Sequence, residues 1–149
     1  MGIKNWYLNQ VRKHIEITSI EFPDGFTAFL DSKKIPINKN IKYKRLIDWK
    51  KVNKCHQINY ENHMIENQIR DDLKISDLYL HEQVYMDFGY ENPVVKIPTA
   101  FFVENWFEFV SSTNFLGSVV IVEDGSLFME FTDDSDFLLI SNFLITPTS

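Results

Sequence analysis

The sequence predicts a single α+β domain over residues 1–149, with an antiparallel sheet and a C-terminal β-meander packed against two or three helices. Segments of strand-like alternation are separated by turn signals, and they are interspersed with segments of helical periodicity. The chain has 149 residues, of which 44% are hydrophobic and 15% aromatic. This is enough to bury a core without disulfides or metals. No repeat or Pro/Gly/Ser-rich linker divides the chain.

In the first half, residues 4–15 have the periodicity of a short amphipathic helix, and Ile17 to Phe22 are typical of a strand. Pro23-Asp24-Gly25 is a tight-turn signal, so we expect Phe26 to Leu30 to return as the second strand of a hairpin. Residues 31–40 are predicted to be a basic loop. Residues 41–59 are ambiguous, and residues 60–74 are predicted to be a helix.

Residues 77–88 alternate between apolar and polar side chains, which predicts one or two half-buried strands. Leu78, Leu80, Val84, Met86 and Phe88 are expected to share the apolar face. The apolar spacing of Thr99 to Thr113 predicts a helix, with Thr99 as its cap.

Three strand-like runs end the chain: Ser118 to Glu123, Leu127 to Thr132, and Phe137 to Ser141. The first connection contains Asp124-Gly125, a strong hairpin signal. The second is Asp133-Asp134-Ser135-Asp136. The C-terminal third is therefore predicted to be a helix followed by a meander.

Charge is distributed unevenly along the chain. Residues 1–74 contain 14 Lys and Arg against 9 Asp and Glu, a balance of +5. Residues 75–149 contain one lysine against 12 Asp and Glu, a balance of −11. An acidic field attracts basic partners and disfavours general nucleic-acid binding, which requires Lys and Arg. A solvated surface that only maintains solubility is the alternative interpretation.

The single cysteine, Cys55, excludes an internal disulfide and suits a reducing compartment. The N-terminal residues lack the pattern of a signal peptide, and no apolar run approaches the ~20 residues that span a bilayer. We therefore expect a cytoplasmic protein that does not associate with membranes.

No motif identifies a reaction, and no cofactor or metal is expected. Cys55 and His56 with His63 form the nearest approach to a ligand cluster, but zinc sites need four ligands in paired spacings. The carboxylates at 133–136 lack the glycine and distal glutamate of a calcium loop. Hairpin turns also favour Asp, so an ordinary turn is preferred there.

Glu130 stands out because it interrupts the apolar run Leu127 to Phe131. Alternation places Glu130 on one face with Phe128 and Thr132. It faces solvent, or it is partly buried and needs a donor partner. In the second case it pairs with the partner protein or acts as a general acid/base in a reaction. The aromatic residues Phe101, Phe102, Trp106, Phe107 and Phe109 also have two interpretations: a buried helix or an aromatic interface.

The C-terminal third resembles small bacterial immunity proteins, the antidotes to polymorphic toxins that include contact-dependent growth inhibition systems. The resemblance covers residues 99–145. It lies in Trp106 to Val110, Val119 to Glu123, Asp124-Gly125, Leu127 to Phe131, and Phe137 to Asn142. It implies a cytoplasmic, non-enzymatic protein that binds a cognate toxin.

The leading hypothesis is therefore an immunity protein that neutralises a basic toxin, such as a nuclease, through an acidic surface. The expected interface consists of Glu123, Asp124, Glu130, Asp133, Asp134 and Asp136. One alternative is a small enzyme that uses Glu130 with His81 or His63. Another is a module that self-associates through its aromatic helix.

Overall fold

A computed structural model describes residues 3–38, 45–60, 65–113, 117–132 and 137–145 of the chain. The described strands form one seven-stranded antiparallel sheet with the order β1-β4-β3-β5-β6-β7-β2. They are β1 Glu16–Glu21, β2 His56–Asn59, β3 Gln83–Met86, β4 Pro93–Pro98, β5 Ser118–Val122, β6 Phe128–Thr132 and β7 Leu138–Ser141. The predicted α+β class is confirmed.

The five described α-helices are short. They are α1 Trp6–Gln10, α2 Asp24–Ser32, α3 Glu66–Lys74, α4 Thr99–Glu104 and α5 Trp106–Ser111. The longest have nine residues, so none of the helices in the described ranges could cross a bilayer.

Both faces of the sheet are covered, which gives the molecule two hydrophobic cores. Helices α1, α3, α4 and α5 pack on one face around Trp106 and Phe109. On the other face, α2 contributes Phe26 and Leu30, and the segment 45–52 contributes Ile47 and Trp49. Strands β5 and β6 are buried at every position because each face meets a different core.

The C-terminal meander is confirmed. Val120 of β5 pairs with Met129 of β6, and Phe131 of β6 pairs with Leu139 of β7. The predicted continuous helix over 99–113 is interrupted at Asn105, whose side chain donates to the Phe101 carbonyl at 3.0 Å. Thr99 does not cap it: the Thr99 hydroxyl is buried and has no hydrogen-bond partner.

The predicted hairpin at Pro23-Asp24-Gly25 is wrong, because these residues begin α2 instead of a turn between strands. Asp24 lies in the first turn, where a negative charge is favourable. Phe26 and Leu30, four residues apart, place their side chains on one helical face and are fully buried. The helical spacing therefore prevails over the turn signal.

The predicted strand over 77–88 is only half right. Asp77–Leu80 form a 3₁₀ turn, and the strand begins at Gln83. Leu80 consequently projects into solvent with 82% of its surface exposed, whereas Leu78 is buried. The expected polar face of β3 is covered by the second core, so Tyr85 and Asp87 are buried as well.

Candidate functional site

The acidic turn between β5 and β6 is a surface feature that α2 holds in place. Glu123 and Asp124 are both exposed. An oxygen of Asp124 accepts hydrogen bonds from the Ser126 amide at 2.9 Å and the Ser126 hydroxyl at 2.6 Å. These two bonds hold the pKa of Asp124 below its usual value. The predicted hairpin thus presents two carboxylates to solvent.

Gly125 lets the end of α2 approach this turn. Its φ is +78°, and a Cβ built on it would lie 2.6 Å from the Cβ of Lys33. Only glycine fits such an approach without strain. Lys33 therefore lies beside the acidic turn, with its Nζ 5.5 Å from the centre of the Phe29 ring.

A cleft of about 580 Å³ forms where the start of β3 lies beside the end of β5. Its lining consists of Lys33, His81, Glu82, Gln83, Glu123 and Asp124. Three carboxylates thus face one lysine and one histidine. The cleft is open and negatively charged, which suits a cationic surface better than an enclosed small molecule.

Exposed apolar side chains precede this cleft in the chain. Leu80 is 82% exposed and Ile75 is 70% exposed, and Tyr79 lies between them in sequence with 38% of its surface exposed. The backbone turns through a 3₁₀ turn here, so Leu80 lies directly before His81 and Glu82 of the cleft. Apolar side chains beside charged ones are typical of protein interfaces. We call Tyr79, Leu80, Glu82, Glu123 and Asp124 together the acidic–apolar surface.

Glu130 does not belong to this surface, although the sequence placed it in the interface. Its side chain is 2% exposed. Its carboxylate accepts from the Leu46 amide at 2.6 Å, the Ile47 amide at 3.2 Å and the Trp49 indole Nε1 at 2.9 Å. Glu130 therefore holds the segment 45–49 on the sheet, which corresponds to the buried alternative.

A second buried carboxylate, Asp87, lies on the same face of the sheet. Asp87 and Glu130 flank Val119, which pairs with Glu130 and donates its amide to Asp87 at 2.6 Å. Burial raises the pKa of both groups to about 7, and the charge of Asp87 adds to the effect on Glu130. None of the ion pairs among the described residues includes either carboxylate.

Asp133, Asp134 and Asp136 lie outside the described residues. Of the three predicted interface residues that the structure describes, Glu123 and Asp124 lie together at the surface, whereas Glu130 is buried.

The enzyme alternative joined Glu130 to His81 or His63. His81 lines the cleft beyond Val122, whereas Glu130 pairs with Val119. Val119 and Val122 are three residue steps apart along β5, which is about 10 Å. His81 and Glu130 are therefore too far apart to act as a pair. His63 lies outside the described residues. Cys55 is an exposed free thiol whose pKa is raised by partial burial, and no group of three metal-binding side chains occurs within the described ranges.

The aromatic residues predicted as a possible interface belong to the first core. Phe102, Trp106 and Phe109 are fully buried, and Phe101 and Phe107 pack against them. The Trp106 ring stacks on Phe131 of β6 at 5.7 Å. This packing corresponds to the buried-helix interpretation of these residues and not to the aromatic interface.

Comparison with known proteins returned no match: no family model, curated protein or solved structure is significantly similar to the chain.

Proposed function

We propose that this chain is a bacterial immunity protein that binds and neutralises a basic toxin domain in the cytoplasm. The observation that carries the proposal is the acidic–apolar surface. Its carboxylates Glu82, Glu123 and Asp124 lie around one open cleft, and exposed Leu80 directly precedes His81 and Glu82 of that cleft. This surface supports a basic protein partner, and the resemblance of residues 99–145 to immunity proteins is what suggests a toxin as that partner.

Charge and apolar area would have separate roles in such a complex. Exposed carboxylates accelerate encounter with a basic surface, and their effect weakens with salt. Exposed apolar side chains contribute through burial after contact, and they slow dissociation. A leucine flanked by carboxylates therefore fits a partner with an apolar pocket surrounded by Lys and Arg.

The first test is co-expression with a basic toxin domain identified in a gene next to the one for this chain. We expect the wild-type chain to restore growth and to co-purify with the toxin domain. The double variant Glu123→Lys/Asp124→Lys is expected to lose both properties. The matched control is Asp71→Lys/Glu108→Lys, which changes the net charge equally at exposed positions of α3 and α5.

Failure of the wild-type chain to bind or to protect would reject the immunity function. Equal loss of protection in both double variants would show that total charge matters and that the acidic–apolar surface does not. Leu80→Ala provides an independent reading, because it removes no charge and is expected to raise the dissociation rate.

A further inference from the structure

A second cleft, of about 500 Å³, lies at the other end of the sheet. It lies between the start of α1, the end of α5 and the loop from β3 to β4. Its lining includes Asn5, Trp6, Asp87, Tyr90, Asn92 and Ser112. Gln83 of the first cleft begins β3, and Asp87 of the second directly follows the last residue of β3, so this cleft is separate from the acidic–apolar surface.

Buried Asn5 connects the walls of the cleft. Its backbone amide donates to Asn92 Oδ1 at 2.8 Å, and its side-chain amide donates to Ser112 Oγ at 3.0 Å. Its side-chain oxygen caps α1 by accepting from the Tyr7 and Leu8 amides. One side chain thus joins α1 and α5, and its amide joins α1 to the β3–β4 loop. The cleft is formed before anything binds, which lowers the cost of binding.

Two aromatic side chains in the lining are unusually exposed. Trp6 is 63% exposed and Tyr90 is 72% exposed, although the chain buries its other two tryptophans. The Tyr90 ring packs edge-on against Phe22 at 5.4 Å, and the Trp6 ring packs against Tyr7 at 5.6 Å. These contacts orient the rings while their remaining surface stays open to solvent.

Asp87 provides negative charge to the same cleft. It is 3% exposed, and none of the described ion pairs neutralises it. Lys4 in the lining is paired with Glu91 at 2.9 Å. The other titratable group facing Asp87, Glu130 across Val119, is also acidic. Backbone hydrogen bonds from Val119 and Gly89 offset part of the cost of burying this carboxylate. A bound cation would offset the rest, because no counter-charge among the described ion pairs does so.

We propose that this cleft binds an organic cation, a guanidinium or alkylammonium group, held against the faces of Trp6 and Tyr90 and neutralised by Asp87. Aromatic faces attract such cations through the negative charge of their π-systems. A neutral group of equal size would gain only the apolar contact with the two rings, without the attraction to Asp87. The cation would come from a small amine or from an arginine or lysine side chain of a polypeptide.

The test titrates the isolated protein with n-butylguanidinium and, as the neutral control of similar shape, n-butylurea. The assay is run at pH 8, above the pKa of about 7 of Asp87. Gly89 and Gly117 also line the cleft, and their amide NMR signals report binding. We expect saturable binding of n-butylguanidinium with a dissociation constant of about 1 mM, which is ordinary for so small a molecule. n-Butylurea should bind at least roughly tenfold more weakly.

Trp6→Ala and Tyr90→Ala are expected to weaken binding roughly fivefold each. Both residues are exposed, so these variants keep the fold, and Tyr79→Ala is the matched control on the other surface. Asp87→Asn should abolish binding. Equal affinity for n-butylurea, unchanged affinity in both aromatic variants, or no saturation at about 20 mM would each overturn the proposal.

N-acetyl-arginine amide separates the two sources of the cation. If it binds more tightly than n-butylguanidinium, the cleft recognises a polypeptide side chain. Equal affinity supports a small free amine. Asp124→Asn should leave every one of these affinities unchanged, so the test is independent of the immunity function.

Discussion

Two pairs of carboxylates in this protein have opposite surroundings. Glu123 and Asp124 project from the β5–β6 turn into solvent, whereas Glu130 and Asp87 are buried on one face of the sheet. Glu130 is only a few residues from the exposed turn in sequence. The difference is that segment 45–49 supplies three N–H donors to Glu130. Donors from a remote segment can thus convert an acidic surface residue into a structural one.

The largest expected effect comes from removing Glu130. Glu130→Ala leaves the amides of Leu46 and Ile47 and the indole of Trp49 without an acceptor in a buried layer. We expect the free energy of unfolding to fall by about 4 kcal/mol, measured by urea denaturation. Glu123→Ala is the matched control and should change stability by less than about 0.5 kcal/mol. Similar losses in both variants would remove the distinction between the two pairs.

Stability should also depend on pH through the buried pair. The pKa values of Asp87 and Glu130 are raised to about 7 from 3.8 and 4.5. Between about pH 4.5 and pH 7 the folded state therefore holds more protons than the unfolded state, and rising pH favours unfolding. We expect each of the two groups to contribute a loss of roughly 3 kcal/mol from pH 5 to pH 8.

The pH dependence of stability that Asp124 contributes has the opposite sign. Because its pKa is lowered in the folded state, Asp124 stabilises the fold at pH values above its unfolded pKa. That contribution is lost only as the pH falls through the folded pKa. Asp124→Asn should therefore leave the loss between pH 5 and pH 8 unchanged, whereas Glu130→Gln should reduce it. A stability that rises from pH 5 to pH 8 would contradict the role of the buried pair.

The contact of the exposed turn with α2 predicts a smaller effect. Gly125→Ala combines an unfavourable φ of +78° with a Cβ only 2.6 Å from Lys33 Cβ, and it should cost about 2 kcal/mol. Gly89→Ala is the control: its φ is +82°, but no atom lies within 4 Å of the added Cβ. Thermal unfolding of both variants isolates the contact, and equal costs would show that α2 does not press on the turn.

Trp49→Phe should have the smallest effect. It removes one of three donors to Glu130 and retains an aromatic ring beside Phe128. We expect a loss of about 1 kcal/mol. In the Glu130→Ala background the same change should cost less, because the hydrogen bond is already absent. Urea denaturation of the four proteins measures this coupling, and additive losses would show that the bond contributes nothing.

Local signals predicted the meander well, because Asp124-Gly125 and the alternating strands act over a few residues. Strand β4 was missed, since Pro93 and Pro98 obscured the apolar residues between them. Both prolines stand at the strand ends, where they are tolerated. The position of Glu130 could not be predicted, because its donors lie more than 80 residues earlier in the chain.

The exposed part of the candidate site was predicted only in part. Glu123 and Asp124 followed from the hairpin signal, but Glu82 and Leu80 did not. Alternation over 77–88 suggested that Leu80 shares a buried face with Leu78. The 3₁₀ turn at Asp77–Leu80 breaks that alternation and exposes Leu80. The spacing of Phe26, Phe29 and Leu30 is typical of a helix and indicates α2, but the turn signal at Pro23-Asp24-Gly25 favoured a hairpin.

The most direct test of the division between exposed and buried carboxylates is the rate of association with the basic toxin domain that we propose as the partner, measured at low salt by surface plasmon resonance. The account predicts that Glu123→Lys/Asp124→Lys lowers that rate at least roughly tenfold. The thermal midpoint of that variant should stay near the wild-type value. The association rate of the control, Asp71→Lys/Glu108→Lys, should also stay near the wild-type value. If the Glu123→Lys/Asp124→Lys variant associates at the wild-type rate, that result contradicts the assignment of this surface.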